Sequence, residues 1–293
     1  MRISTGQIFE NNRNNVQANY ATMAKWQMQL ASGRRVDKLS DDAPQSALLL
    51  RQKSIKSAIQ QYDNNLRHAT GYLGQSEVAL TEIQGMMRKA YEISVQGATS
   101  SLDQPARLAL ADQVAQMQQR FIDVANSRGN EGQYLFAGMS NAAAPYSLTG
   151  PTLSFTGDTG DIRIETSPSQ TMKVNTTGGA DFVSAYAALE SLKTNLIGGQ
   201  PGVISGTNVG ELQAQTARFS QLRSEVGVAM QQVTSLKSQN VLRMDELTEG
   251  ISAIEEVDFT FAVSELSRAQ TAYQAALSVS ANGFSLSLMD YLR

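Results

Sequence analysis

The stretch IKSAIQQYDNNLRHATGYLGQSEVALTEIQGMMRKAYEIS, residues 55–94, decides how the chain is read. Its apolar and small residues are Ile55, Ile59, Tyr62, Leu66, Ala69, Leu73, Ser76, Leu80, Ile83, Met87, Ala90 and Ser94. The spacing between them alternates four and three without a slip. That is a heptad seam, which keeps one stripe of a helix facing a partner helix. No proline interrupts it. At ~1.5 Å rise per residue such a helix is about 60 Å long, so the stretch predicts a rod that needs other rods beside it.

The partners are found by working outward. Phe9, Val16, Met23 and Leu30 fall seven apart, with Tyr20 and Trp26 near the same face. They predict an amphipathic helix over 6–32, stopped by Gly33 as a C-cap residue. Ser40, Asp41 and Asp42 are N-cap candidates for the long helix, with Pro44 in its first turn. That helix is expected to run to about residue 97, weakened by Gly71, Gly74 and Gly85. Residues 98–104 read as a turn in which Asp103 caps a third helix and Pro105 opens it. Leu110, Val114, Met117, Phe121 and Val124 step four and three again, and the helix should end near Ser127, folded back along the first rod.

Composition changes next. Pro145, Pro151, Pro168 and Pro201 lie among turn clusters. Residues 134–137, 152–155, 161–165 and 170–175 read as short strands, with Gly157-Asp158-Thr159-Gly160 as a hairpin turn. Residues 182–196 are expected to form a helix closing this insert, and 198–206 a loop leading out. Helical periodicity then returns: Leu212, Phe219, Val226, Val233, Asn240, Leu247 and Ile254 are seven apart. Leu222, Ala229, Leu236, Met244 and Ile251 add a second line with one slip. Asn240 either fixes register or is a hydrated side chain in a loose layer. A break at 255–258, with Glu255-Glu256 read as a solvated helix end, precedes a last helix carrying Phe259, Val263, Leu266, Tyr273, Leu277 and Phe284. The fold class expected is mainly α: long antiparallel, coiled-coil-like rods built from both termini, with a small β-rich insert in the middle. The domain division expected is 1–43 with 256–293, then 44–138 with 202–255, then 139–201.

Composition bounds the function. The 293 residues carry a formal net charge of −3, one Trp, one His and no Cys. No basic run supports electrostatic nucleic-acid binding. No apolar run reaches the ~18 residues of a membrane-spanning helix. Residues 1–10 hold no apolar h-region, so a cleaved signal peptide is not expected. The missing cysteine fits either a cytoplasmic protein or one exported unfolded by another route. His68 stands alone, which argues against a His-based metal site or triad within one chain. Asp158 and Asp161 beside Gly157 and Gly160 lack the spacing of a calcium loop, and Gly178-Gly179 and Gly198-Gly199 lack a phosphate-loop context. No clustered acid, base and nucleophile set appears, so an enzyme is not expected, and no cofactor. The polar-rich first and last helices are expected to order on assembly.

Leu30-Ala31-Ser32-Gly33-Arg34-Arg35-Val36 followed by Ser40-Asp41-Asp42-Ala43-Pro44 resembles the N-terminal signature of the bacterial flagellin family. Ala90-Tyr91-Glu92-Ile93-Ser94-Val95-Gln96-Gly97-Ala98 and the tail Leu286-Ser287-Leu288 are similar to that family too. Met1-Arg2-Ile3-Ser4-Thr5, Gly132-Gln133-Tyr134-Leu135-Phe136-Ala137-Gly138, Pro145-Tyr146 and Met289-Asp290-Tyr291-Leu292 resemble its hook–filament junction branch rather than filament flagellin. The resemblance covers both terminal thirds; the insert matches only in type.

The resemblance implies a structural adaptor of the bacterial flagellum, joining hook to filament outside the cell. Such a chain is exported unfolded through the flagellar type III channel and assembled as a ring of copies of itself. Its implied partners are the first hook-associated protein, flagellin, and an export chaperone on the C-terminal helix. The terminal helices would form the inner tube, the rods the next shell, and the insert would face outward. The candidate assembly residues are Phe9, Val16, Met23, Leu30, Gly33, Asp41, Asp42, Phe259, Leu266, Tyr273, Leu277, Phe284, Leu286, Leu288 and Leu292. For Asp41 and Asp42, capping and holding the inner shell to the outer remain two open roles. A short filament flagellin, or an adhesive module carried by the insert on a helical stalk, are the alternatives.

Overall fold

The computed structural model describes residues 5–36, 42–176 and 178–291, with the backbone alone for 5, 6, 8 and 282–291. The elements in chain order are α1 (Thr5–Ser32), α2 (Ala43–Gly97), α3 (Gln104–Ala125), β1 (Tyr146–Thr149), β2 (Thr152–Phe155), β3 (Arg163–Ser167), β4 (Gln170–Lys173), α4 (Gly179–Ile197), the single turn α5 (Pro201–Val203), a π-helical turn (Ile204–Asn208), α6 (Val209–Glu255) and α7 (Phe259–Tyr291). The chain is mainly α with two small antiparallel hairpins, β1–β2 and β3–β4. It divides into two compact units, Met1–Ala58 with Leu242–Arg293, and Ile59–Val241.

In the Ile59–Val241 unit the heptad seam is the core. Leu66, Ala69, Leu73, Ser76, Leu80, Ile83, Met87, Ala90 and Ser94 of α2 are all buried. Leu110, Val114, Phe121 and Val124 of α3 and Leu212, Phe219, Leu222, Val226 and Val233 of α6 join them, as do Phe182, Leu189, Leu192 and Leu196 of α4. Side chains of this size, fully withdrawn from water, contribute ~1.5–3 kcal/mol each. Caps close the helices where the sequence places them. Asp103 Oδ1 accepts from the Ala106 amide at 3.2 Å, and a proline occupies the first turn of α3. The buried Arg107 donates to the Leu102 and Thr99 carbonyls (both 3.1 Å), closing the turn after α2. Asn240 is buried on the seam, and its Nδ2 has no hydrogen-bond partner among the described residues.

The insert and its exit depart from expectation in five places. Residues 134–137 are not a strand. Gly132 (φ 81°) and Gly138 (φ 67°) turn the chain on either side, and Leu135, Phe136 and Ala137 enter the core as a wedge. Backbone bonds pin it: the Leu135 amide donates to the Ser127 carbonyl (3.1 Å), and the Asp158 amide to Ala137 (2.9 Å). Gly157–Gly160 is therefore a tether between hairpins and not a hairpin turn. The turns lie at Gly150 (φ 65°) and Ser169 (φ 64°). The strand Tyr146–Thr149 escaped the sequence reading; its register pairs Tyr146 with Phe155 and Thr149 with Thr152. Residues 161–162 stay outside β3 because the Ile162 amide is taken by Asn175 Oδ1 at 2.8 Å. The loop expected at 198–206 is short, since helix resumes at Pro201. The π turn that follows buries Ile204 and Asn208, and Asn208 bonds Ser191 and Asn195 of α4, both at 2.8 Å.

The aromatic residues of the insert and the helices meet around Phe182. Its ring lies 4.7 Å from Phe136, 5.2 Å from Tyr146, 5.4 Å from Phe219 and 5.9 Å from Phe121. Asn126 brackets the Tyr146 backbone, accepting from its amide at 3.0 Å and donating to its carbonyl at 2.9 Å. The Gly132–Gly138 block and Pro145-Tyr146 thus have a packing reason: they clamp the insert to the helices.

Candidate assembly surface

In the other unit, α1 and α7 lie antiparallel. Tyr20 meets Tyr273 and Trp26 meets Phe261, each pair at 5.8 Å between ring centres. Small residues allow the approach: Ala262 and Ala269 of α7 are buried. The heptad line of α1 is only partly withdrawn, with Val16, Met23 and Leu30 half-buried and Phe9 exposed. On α7, Leu266 and Tyr273 are half-buried, while Phe259, Phe261, Val263, Leu277 and Val279 are exposed. Both helices thus carry large apolar side chains that the single chain leaves in contact with water. Phe284, Leu286 and Leu288 fall within α7 with their side chains outside the described residues; Asp41 and Leu292 lie outside the described residues altogether.

Gly33 ends α1 with φ 71°, a conformation that costs glycine nothing. Beyond it the chain pairs with the corner between α6 and α7. The Val257 amide donates to the Gly33 carbonyl (3.1 Å), the Arg35 amide donates to the Glu255 carbonyl (2.7 Å), and Arg34 and Glu256 form an antiparallel bridge. Val36, Ile254 and Val257 cover this joint. Glu255, expected on a solvated helix end, is only 8% exposed. Its carboxylate receives Arg34 Nε at 3.0 Å and Lys53 Nζ at 2.7 Å. Arg35 Nη2 donates to the Ile254 carbonyl at 2.8 Å, a cation at the carbonyl end of α6 where the helix dipole favours it. The sequence showed charged residues on both sides but no spacing that joins positions so far apart. Asp42 caps α2, its Oδ1 accepting from the Gln45 amide at 3.2 Å.

Candidate chemistry elsewhere is sparse. A cavity of about 740 Å³ lies among Asn64, His68, Gln75, Gln133 and Ile164. His68 is exposed, its Nδ1 2.7 Å from Glu131. Among the described residues no three His, Cys, Asp or Glu side chains are placed to hold a metal ion. Asp161 is engaged by Lys173 at 2.5 Å. Tyr72, buried beside this cavity with its hydroxyl donating to the Leu135 carbonyl at 2.6 Å, has its pKa pushed up to about 12 by burial. Burial, and then the charge of Asp181, raises Tyr146 further still.

Comparison with known proteins matches residues 3–141 to the bacterial flagellin N-terminal helical region and residues 209–292 to the bacterial flagellin C-terminal helical region. Together these take in well over half of the chain, and the chain belongs to the bacterial flagellin family. Within that family it is similar to flagellar hook-associated protein 3 of Escherichia coli, 25% identical over 304 residues, covering 94% of this chain and 95% of that protein. The protein of the same name from Salmonella typhimurium is 26% identical over 305 residues, with the same shares covered. Among solved structures, Bacillus cereus FlgL superposes with a TM-score of 0.60 at 17% identity, over 70% of this chain and 99% of its own. At that identity the superposition speaks for the fold.

Proposed function

We propose that this chain is a structural adaptor of the bacterial flagellum that joins a hook-associated protein to the flagellin filament. The observation that carries the reading is the end-to-end match to two proteins named flagellar hook-associated protein 3, covering 94% of this chain in each case. The α1–α7 pair supports it physically, because its aromatic and aliphatic side chains remain exposed on the single chain. In this reading the chain is not an enzyme. It works outside the cell, in the flagellum, where copies form a ring between the first hook-associated protein and flagellin. Residues 1–43 with 256–293 form the inner assembly layer, 44–138 with 202–255 the rods, and 139–201 the outward insert. The chain travels unfolded without a cleaved signal, which its lack of cysteine suits, and a chaperone holds α7 beforehand. Phe9, Val16, Met23, Leu30, Leu266, Tyr273 and Leu277 are the contact residues proposed for neighbouring subunits.

Sedimentation and electron microscopy of the purified chain test this, alone and with depolymerised flagellin and the first hook-associated protein. The expected result is no long polymer alone and a defined complex when the partners are added. Long tubes built from the chain by itself would make it a filament flagellin, and indifference to both partners would end the adaptor reading.

A further inference from the structure

We infer that Glu255 is a positioning residue that locks the two ends of the chain together in the register needed for assembly. The assembly half of this inference rests on the function proposed above; the coupling half rests on geometry alone. Three segments far apart in sequence converge on one carboxylate. Arg34 comes from the exit of α1, Lys53 from α2, and Glu255 itself closes α6, with three residues between it and α7. The Glu255 side chain is 11% exposed, whereas those of Arg34 and Lys53 are 55% and 42% exposed.

That asymmetry assigns the roles. A carboxylate withdrawn from water needs its cations, because an unpaired buried charge is strongly unfavourable. The cations, half in water, can do without the acid. The joint is therefore held from the Glu255 side. The same residue also offers its backbone carbonyl to the Arg35 amide, and the Val257 amide returns the bond to Gly33. Side chain and backbone together make a two-segment clasp, sealed by Val36, Ile254 and Val257. Its consequence is that neither α1 nor α7 can shift along the other without opening the clasp. The Gly33-Arg34-Arg35 motif gains a function here: Gly33 supplies the left-handed turn, Arg34 the ion pair, and Arg35 the bridge to the end of α6.

The test uses the full chain with Glu255→Gln, Glu255→Asp and Lys53→Met, and the double variant K53M/E255Q. Amide hydrogen exchange is read at Arg35 and Val257, and incorporation into flagella is read in cells supplied only with each variant. Glu255→Gln should speed exchange at both amides by about tenfold or more, while exchange in the core of the Ile59–Val241 unit stays unchanged. Glu255→Asp should fall between it and wild type, and the double variant should be no worse than the worse single one, as expected for partners in one interaction. Incorporation should fall in the same order. Exchange at Arg35 and Val257 equal to wild type in Glu255→Gln would overturn the clasp. Faster exchange with undiminished incorporation would overturn its role in assembly. If Glu255→Gln unfolds the terminal unit entirely, Lys53→Met carries the same comparison, because the lysine is half exposed. A wild-type chain that never enters flagella would defeat the proposed function, and the exchange readings would still decide the clasp.

Discussion

Phe182 and Phe259 are the same residue type in two regions built on opposite terms. Phe182 is fully buried and touches four other aromatic rings in the Ile59–Val241 unit. Phe259, at the start of α7, is 57% exposed, and Phe261, Val263, Leu277 and Val279 are exposed along the same helix. The aromatic cluster of one region is closed within the chain, whereas the aromatic residues at the start of α7 are left open. The lesson is that heptad spacing alone does not say who fills the seam. On α2 the answer is this chain's own α3, α4 and α6. On α1 and α7 the chain supplies only part of an answer, and Phe259, Val263 and Leu277 stay exposed on the single chain.

The comparison breaks first at its strongest point. Phe182→Ala should cost about 3–5 kcal/mol by chemical denaturation, as truncating a buried aromatic does. A loss under about 1 kcal/mol would mean that the aromatic cluster does not organise this unit.

Two glycines with the same left-handed backbone come next, one in each region. A Cβ on Gly138 would lie 1.9 Å from the Asp158 carbonyl oxygen, so Gly138→Ala should cost about 2–3 kcal/mol and loosen the wedge at Phe136. A Cβ on Gly33 would come no closer than 3.9 Å, to the Phe259 ring. Gly33→Ala should therefore cost only the conformational strain, about 1 kcal/mol. Thermal unfolding of both variants checks the ratio; equal losses would mean that space around the glycine is not what separates the two sites.

Alkaline pH probes the closed region between these. Burial favours the neutral form of Tyr72, so the folded chain keeps this proton at pH values where the unfolded chain has lost it. The associated stability is fully present below a pH of about 10 and is lost as pH rises through about 12, a total of about 3 kcal/mol. Tyr146 and Tyr186 slope the same way, since burial raises both. The measurement is therefore the difference between wild type and Tyr72→Phe, whose stability should fall less steeply over that range. Parallel curves would place the Tyr72 hydroxyl in contact with water.

The smallest stability effect sharpens the comparison most. Leu277→Gln should change unfolding free energy by less than about 0.5 kcal/mol, because the side chain is already exposed. Incorporation into flagella should nevertheless fall severalfold. A variant that assembles like wild type would remove Leu277 from the contact surface.

Much of this was legible in the residues. The alternating steps of four and three from Ile59 to Ser94 named the buried face of α2 almost position by position. The steps of seven from Leu212 to Val233 did the same for α6. Asp42, Asp103, Pro105 and Gly33 marked helix ends because capping is local chemistry, settled within a few residues. The hairpin turn was misplaced because Gly157-Asp158-Thr159-Gly160 is as rich in turn-forming residues as Gly150-Pro151. What separates them is the Asp158 amide reaching the carbonyl of Ala137, a partner that a local reading does not contain.

By itself, then, the sequence determined everything that follows from periodicity and from backbone conformation: mainly helical rods, their inward faces, their caps, and an interruption by short strands. Those are properties of residues a few positions apart. Tertiary structure alone decided what depends on residues brought together from far along the chain. It turned 134–137 from a strand into a wedge, set Tyr146 against Phe182, and withdrew Glu255 from water between Arg34 and Lys53. Burial of a charge is fixed by what surrounds it in space, and sequence spacing carries no record of that.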